Sequence, residues 1–181
     1  MKPSTMPLRS YMQMENMMSL SRRAFITSSG IALAGATLAT TACAKPTPKG
    51  RYEINLTGAE WKARLTPAQF ATLRQDATDV PFKSPFLNEH RAGIFSCAGC
   101  NLPGFSSRTK FDSGTGWPSF YDFLPNAVRT ETDNTLGMAR VEVHCRRCGG
   151  HLGHVFDDGP APTGKRYCLN GTALKFTPGK A

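Results

Sequence analysis

The segment Val143-His144-Cys145-Arg146-Arg147-Cys148-Gly149 is the best guide to the fold, because a strand-like run in it ends in a Cys-x-x-Cys turn. A second pair follows another strand-like run in Phe95-Ser96-Cys97-Ala98-Gly99-Cys100. Two close pairs far apart in sequence typically build one tetrahedral four-thiolate site, and Gly99 and Gly149 can supply the open backbone of such turns. One structural Zn²⁺ ion is predicted, held by Cys97, Cys100, Cys145 and Cys148.

The two pairs also allow an enzymatic alternative. Disulfides or redox-active dithiols are permitted in an oxidising compartment, and a thiol oxidoreductase would use a Cys-x-x-Cys pair directly. That class predicts that Cys97 or Cys145 is redox-active and that zinc is absent. We favour zinc, because two matched pairs are more specific for a metal site than one pair.

The first 44 residues have the pattern of an export signal. Ser21-Arg22-Arg23-Ala24-Phe25-Ile26 is a twin-arginine pattern, and the apolar run from 31 to 42 behind it is too short to span a membrane. Ala42-Cys43-Ala44 fits the small-residue rule for cleavage before Lys45, although Cys43 can instead be a lipidated cysteine. We therefore predict twin-arginine export to the periplasm, with membrane contact only if Cys43 is lipidated. A chance Arg-Arg pair in a cytoplasmic protein is the alternative.

Beyond the signal, a linker is predicted over 45–56 and one domain over 57–181. Two helix-start signals, Thr57 with Glu60 and Thr66 with Pro67 and Gln69, predict short helices over 57–64 and 66–76. Prolines and glycines then interrupt short runs, and period-two alternation covers 138–144 and 173–176. The expected fold is mostly β within the α+β class, a compact antiparallel β-sheet domain with short N-terminal helices.

A formal net charge of +9 raises the question of nucleic acid as a partner. Beyond residue 44, basic residues are adjacent only at Arg146-Arg147 and Lys165-Arg166, so no continuous basic stripe is visible. Export would also separate the chain from nucleic acid. We expect no nucleic-acid partner. A zinc-ribbon interaction module is the alternative that would explain the charge and the cysteine pairs.

Cys168 stands apart from both pairs, in Arg166-Tyr167-Cys168-Leu169-Asn170. A buried cysteine is usually a small hydrophobic residue, and this is the simplest interpretation. Its neighbours favour a reactive thiol instead. On a strand, Arg166 shares the face of Cys168 and favours the thiolate, while Asn170 can donate a hydrogen bond to a substrate oxygen. Cys168 is therefore a candidate nucleophile.

Two histidines and a tryptophan complete the candidate site. His151 and His154 are suited to proton transfer, but positions three apart on a regular strand face opposite ways. Both can reach one site only if Gly153 allows a bend or bulge. Trp117 is either a core residue or the wall of a small apolar pocket that suits a methyl or thioether group.

Together these segments resemble the B-type methionine sulfoxide reductases, which act on the R epimer of methionine sulfoxide. The resemblance covers about Trp61 to Phe176. It rests on Phe111-Asp112-Ser113-Gly114-Thr115-Gly116-Trp117-Pro118-Ser119-Phe120, on Gly150-His151-Leu152-Gly153-His154-Val155-Phe156, and on Arg166-Tyr167-Cys168 with Asn170. It implies a compact, mostly antiparallel β fold and the reduction of methionine-R-sulfoxide in oxidised proteins or peptides.

The resemblance also implies a role for each candidate residue. Cys168 matches the nucleophile, which becomes a sulfenic acid when it takes the sulfoxide oxygen. Trp117 matches the wall of the methyl pocket. The residues matched around the sulfoxide are His151, His154, Arg166 and Asn170. Of these, His154 is assigned as the acid, with His151 and Asn170 positioning oxygen or water.

The chain departs from the family at Thr115, where many members carry a resolving cysteine. Threonine cannot form the disulfide that ordinarily removes the sulfenic acid, and the spare thiol of Cys43 lies in the predicted signal segment. The resemblance therefore implies a one-cysteine enzyme. Its expected partner is a thioredoxin-like or other external thiol reductant that reduces Cys168 directly.

Overall fold

The structure is a computed structural model and describes residues 52–135, 137 and 139–181. The predicted export segment over 1–44, Cys43 and most of the predicted linker lie outside the described residues, so those assignments stay predictions. Within the described part of the chain, no helix is long and apolar enough to cross a membrane.

The two predicted helices are present as α1 (Gly58–Arg64) and α2 (Pro67–Gln75). Each begins with a capping box, in which the threonine side chain accepts from a backbone N–H three residues on and that residue's side chain accepts from the threonine N–H. The pairs are Thr57 with Glu60 and Thr66 with Gln69. The sequence signals therefore located both helix starts correctly.

Nine short strands account for most of the regular structure of the described residues. They are β1 (Gly93–Cys97), β2 (Pro103–Ser106), β3 (Lys110–Phe111), β4 (Ser119–Phe120), β5 (Val128–Asp133), β6 (Arg140–Cys145), β7 (His151–Phe156), β8 (Arg166–Leu169) and β9 (Leu174–Pro178). All described pairings are antiparallel, in a three-stranded sheet of order β2-β1-β9 and a six-stranded sheet of order β3-β4-β8-β7-β6-β5. The prediction of a mostly β, α+β domain with antiparallel sheets is confirmed.

Aromatic side chains pack strands of the two sheets together. Phe95 of β1 and Phe105 of β2 lie against Phe120 of β4, with ring centroids 5.0 and 4.9 Å apart. All three side chains are fully buried. This packing fixes β4 and its neighbour β8, which carry much of the site described below.

The chain just before α1 contacts the body of the protein. The Ile54 amide donates to the carbonyl of Arg147 at 3.0 Å, and the Tyr52 ring lies against Gly149. Gly149 has a φ of +67°, and a Cβ there would collide with the Tyr52 ring. Residues 52–54 therefore pack beside the second Cys-x-x-Cys turn.

Candidate active site and metal centre

Both Cys-x-x-Cys turns have the same backbone geometry. The amides of Asn101 and Gly149 each donate at 2.8 Å to the carbonyl of the first cysteine of their turn. These two residues are left-handed, with φ of +57° and +67°. The prediction that Gly99 supplies the open backbone in the first turn is corrected: Asn101, just after the second cysteine, takes that conformation. Asparagine tolerates it better than most residues.

The four cysteine sulfurs converge on one point. Their Sγ atoms all lie within 4.8 Å of one another. The Cys97 to Cys148 and Cys100 to Cys145 distances are 3.7 and 3.4 Å. Both exceed the roughly 2.05 Å of a disulfide. They are close to the ~3.8 Å expected between thiolates bound at about 2.3 Å around tetrahedral zinc. The four cysteines therefore fit a structural zinc ion.

The metal centre is closed by its surroundings. Cys97, Cys145 and Cys148 are buried. The Arg74 guanidinium donates to the carbonyl of Cys148 at 3.0 Å and lies 5.0 Å from the centroid of the Trp61 ring. Four protein ligands, three of them buried, leave no open position for substrate, which is typical of a structural rather than a catalytic zinc site.

Cys168 lies in the middle of the larger sheet, on β8. Its direct cross-strand partners are Ser119 on β4 and His154 on β7. Directly opposed residues of antiparallel strands point to the same face, so these three side chains are neighbours. The Cys168 side chain is half-buried, and its thiol is free.

A bulge in β7 puts both histidines at this site. His154 pairs with Glu142, whereas His151 pairs with His144, and the register shifts between Val143 and His144. Gly153, with φ of +152°, lies at this irregularity. The ring centroids of His151 and His154 are 5.5 Å apart. The proposed bend at Gly153 is therefore present, and it brings the two imidazoles together.

Carboxylates of neighbouring strands hold both imidazoles. His151 Nδ1 lies 2.5 Å from a Glu142 oxygen, and His154 Nε2 lies 2.9 Å from an Asp133 oxygen. Arg140 also donates to Asp133 at 2.6 Å. The sequence analysis did not single out Glu142 or Asp133. The alternation in β6 was a signal for Glu142, because it places a charged residue on the same strand face as His144.

Arg166 is held by a carboxylate and an aromatic ring. Its guanidinium donates to both Asp158 oxygens, at 2.9 and 2.8 Å, and lies 4.5 Å from the centroid of the Phe156 ring. Asp158 raises the pKa of Arg166 further, and the Cys168 thiolate would add to this rise. The side chain is therefore a fixed positive charge beside Cys168.

Asp79 joins two predicted site residues that are far apart in sequence. Its carbonyl accepts from Trp117 Nε1 at 2.9 Å, and its amide donates to Asn170 Oδ1 at 2.9 Å. The carboxylate of Asp79 accepts from the Thr172 amide at 2.8 Å. The Asn170 side chain also donates to the carbonyl of Leu152 at 3.4 Å. Asn170 thus holds the loops around the site as well as lying beside it, and no local sequence pattern identified Asp79.

Comparison with known proteins matches most of the described domain to one family. A family model described as the SelR domain matches residues 65–178. The "Peptide methionine sulfoxide reductase MsrB" of Leifsonia xyli is 51% identical over 132 residues, which are 72% of this chain and 95% of that protein. The protein of the same name from Thiobacillus denitrificans is 53% identical over 123 residues, 67% of this chain and 93% of its own.

The chain belongs to the B-type methionine sulfoxide reductases. It is an oxidoreductase that acts on a sulfur group, and the four-cysteine zinc site is typical of its family. Among solved structures, the Mis18 "Yippee-like" domain is similar with a TM-score of 0.39 and 19% identity, covering 48% of this chain and 96% of that one.

In this reductase, burial shifts the pKa values of Cys168 and His154 in opposite directions. Loss of solvation raises the pKa of the Cys168 thiol, against the opposing effects of Thr115 and Arg166. Loss of solvation lowers the pKa of His154, against the opposing effect of the Asp133 carboxylate. Both shifts favour the uncharged forms, so the two neighbouring groups rest as a neutral thiol and a neutral imidazole at neutral pH.

Thr115 of the reductase reaches the sulfur of Cys168. Its Oγ1 lies 3.9 Å from Cys168 Sγ, within the range of a long hydrogen bond to sulfur. The turn that carries Thr115 and Trp117 therefore lies beside the Cys168 thiol. No other described cysteine outside the four-sulfur centre exists to pair with Cys168.

Proposed function

We propose that Cys168 attacks the sulfur of methionine-R-sulfoxide in oxidised proteins or peptides. The sulfoxide oxygen passes to Cys168, which becomes a sulfenic acid, and methionine is released. The methyl group would lie against the half-buried Trp117 ring, since an aromatic face makes favourable contacts with sulfur and its methyl substituent. The observation that carries this proposal is the cross-strand placement of Cys168 beside His154, with Arg166 on the same strand.

The cross-strand position of His154 beside Cys168 supports proton transfer between them in the first step, which starts from the neutral thiol and the neutral imidazole. His154 takes the proton of the Cys168 thiol, giving a thiolate and an imidazolium side by side. As the thiolate attacks sulfur, charge develops on the sulfoxide oxygen and the imidazolium returns the proton to it. The thiol and sulfoxide become a sulfenic acid and a thioether, with no proton taken from solvent. His151 and Asn170 position the oxygen, and Arg166 stabilises the thiolate.

An external thiol completes the cycle. Its thiolate attacks the sulfenic sulfur of Cys168, forming a mixed disulfide and releasing water. A second thiol then attacks the mixed disulfide and leaves Cys168 reduced and a disulfide of the reductant. A thioredoxin-like protein or a small thiol can supply both equivalents. Support comes from Thr115, which occupies the position beside Cys168 where a resolving cysteine could act.

The test of the nucleophile uses both sulfoxide epimers, on a peptide and on the free amino acid, with dithiothreitol as reductant. We expect turnover of the R epimer, loss of that turnover in Cys168→Ser, and an unchanged zinc content in the variant. Reaction of the S epimer alone, or activity retained in Cys168→Ser, contradicts the proposal. Loss of activity together with zinc would indicate a damaged fold, which unfolding curves of both proteins detect.

The recycling step has a separate test. The zinc-loaded protein is treated with one equivalent of peptide sulfoxide without reductant, and the product is mapped by mass spectrometry. We expect dimedone to label Cys168 as a sulfenic acid. A disulfide from Cys168 to any of the zinc ligands would overturn recycling by an external thiol.

The place of action follows from the twin-arginine pattern in 21–26, and we propose the periplasm. That route exports folded proteins, so zinc can bind the four thiols in the reducing cytoplasm before an oxidant reaches them. Cell fractionation with Arg22→Lys/Arg23→Lys as the control checks this. Equal periplasmic amounts of both proteins, or periplasmic protein without zinc, would contradict it.

A further inference from the structure

Three hydroxyl groups run in a line from Cys168 into the protein. Thr115 Oγ1 lies 3.9 Å from Cys168 Sγ and 2.8 Å from Ser113 Oγ. Ser113 Oγ lies 2.7 Å from Ser119 Oγ, which in turn donates to the carbonyl of Trp117 at 3.3 Å. Ser119 is 1% exposed. The line therefore begins at the reactive sulfur and ends at a backbone carbonyl beside the buried Ser119.

Each hydroxyl group has a single proton to donate, so the direction of the line is constrained. When Cys168 is a thiol, its S–H donates to Thr115, Thr115 to Ser113, Ser113 to Ser119, and Ser119 to the Trp117 carbonyl. When Cys168 is a thiolate it needs a donor. When Thr115 donates to sulfur, its contact with Ser113 and the contact between the two serines stay hydrogen-bonded only if Ser113 donates to Thr115 and Ser119 donates to Ser113.

We propose that these hydroxyls form one hydrogen-bond chain that reverses direction when Cys168 ionises, so that Thr115 accepts from the thiol and donates to the thiolate. The proposal rests on the role of Cys168 in the proposed function. Thr115, Ser113 and Ser119 are thereby positioning residues that supply a hydrogen bond to both forms of the nucleophile. Reversal loses the hydrogen bond from Ser119 to the Trp117 carbonyl, and this loss opposes ionisation of Cys168. The hydrogen bond that Thr115 then donates to the thiolate favours ionisation.

The remaining groups around the sulfur are charged or titratable. Arg166 and, beyond it, Asp158 act on Cys168 from its own side of the sheet, and His154 lies opposite on β7. None of these belongs to the hydroxyl chain. Substitutions within the chain therefore change one set of contacts to the thiol while the charges stay the same.

The hydrogen-bond chain predicts opposite changes in the pKa of Cys168 for substitution of Thr115 and for substitution of Ser113 or Ser119. Thr115→Val removes the donor to the thiolate, so ionisation becomes harder and the pKa of Cys168 rises. Ser113→Ala or Ser119→Ala removes the acceptor that the thiol-state direction needs, while Thr115 still donates to the thiolate. Ionisation then no longer sacrifices a hydrogen bond, and the pKa of Cys168 falls. Thr115→Ser keeps the hydroxyl and should behave as the parent protein.

The test is the pH dependence of Cys168 alkylation by iodoacetamide, followed by mass spectrometry on the zinc-loaded protein. At pH 7 we expect Thr115→Val to react about threefold to tenfold more slowly, and Ser113→Ala about threefold faster, since one hydrogen bond is worth roughly this factor. Ser113 is partly exposed, so this variant serves if the buried Ser119→Ala is unstable. If Thr115→Val and Ser113→Ala change the alkylation rate of Cys168 equally or in the same direction, the proposed hydrogen-bond chain is wrong.

This experiment is independent of turnover. If Cys168→Ser keeps its reductase activity, the proposed function is wrong, although the alkylation profiles still report on the hydroxyl chain. If Cys168→Ser is inactive and the profiles do not move, the hydroxyl chain is wrong and the nucleophile stands. Restoration of the parent profile by Thr115→Ser excludes a general loosening of the turn as the cause of a shift in Thr115→Val.

Discussion

At the scale of single residues, the contact between Thr115 and Cys168 determines what the oxidised enzyme can do. A hydroxyl 3.9 Å from the sulfur can hydrogen-bond to it but cannot remove a sulfenic acid. A cysteine at position 115 would place its sulfur close to Cys168, and a modest side-chain rotation would bring the two sulfurs to bonding distance. The identity of residue 115 therefore separates two modes of recycling.

Thr115→Cys is predicted to form a disulfide with Cys168 after one turnover without reductant, because the sulfenic sulfur then has a thiol beside it. Dimedone labelling should fall by at least about tenfold relative to the parent protein, and peptide mapping should find residues 115 and 168 linked. Thr115→Ser is the matched control and should label like the parent. Undiminished labelling in Thr115→Cys would show that the two side chains do not meet in solution.

The opposed pKa shifts of Cys168 and His154 give a prediction for the pH profile of the first step. The reacting pair needs a neutral imidazole and a thiol, so activity falls when acid protonates His154 or when base removes the thiol proton. Since the pKa of His154 is lowered and that of Cys168 is raised, the plateau of single-turnover kcat/KM should extend below about pH 6.5 and above about pH 8.5.

Asp133→Asn tests the assignment of the acid limb. Asp133 raises the pKa of His154, so loss of its charge should lower that pKa and move the acid limb to lower pH. Thr135→Val is the control, because Thr135 donates to the Asp133 carboxylate at 2.6 Å without carrying charge. An acid limb that stays in place in Asp133→Asn, in a protein that unfolds like the parent, would assign the limb to a group other than His154.

At the scale of elements, the bulge of β7 explains how two histidines three positions apart share a site. Sequence analysis identified Gly153 as the residue that this requires, because glycine is the residue that tolerates such a backbone. It could not identify the partners of the imidazoles. Glu142 and Asp133 come from β6 and β5, and their contacts depend on a strand register that the sequence does not encode locally.

Gly153→Ala is predicted to destabilise the protein by about 2–4 kcal/mol and to abolish most activity. The added Cβ would collide with the carbonyl oxygen of Cys168 and force β7 away from β8. Urea unfolding measures the change. Gly179→Ala is a matched control, because Gly179 has almost the same φ, +151°, but open space around its Cβ position. Equal destabilisation in both variants would mean that backbone conformation, not the collision, is responsible.

At the scale of the whole molecule, helices, alternating strands and paired cysteines were predictable because each is a local pattern. Capping boxes specified α1 and α2, and the Cys-x-x-Cys spacing specified the zinc ligands. The contacts of Asp79 were not predictable, because they join Trp117 and Asn170 from distant parts of the chain. Only the assembled sheets bring these residues together.

Removal of zinc by a chelator under reducing conditions is predicted to unfold the domain or to remove several kcal/mol of its stability, on the order of the total for a small domain. Circular dichroism and tryptophan fluorescence follow the loss, and restored zinc should reverse it. Cys168→Ser should respond in the same way as the parent. A domain that keeps its unfolding transition without zinc would show that packing alone suffices.

The four-sulfur centre has a further consequence for chain entropy. By joining the turns at Cys100 and Cys145, the metal closes a loop that contains Thr115, Ser119 and Trp117 but not Cys168. Closing a loop removes conformational freedom from the segment within it. The ion therefore narrows the range of positions open to Trp117 and to the hydroxyls of Thr115 and Ser119, although its ligands are the four cysteines. Loss of zinc should therefore widen the range of positions that Thr115, Ser119 and Trp117 take beside Cys168.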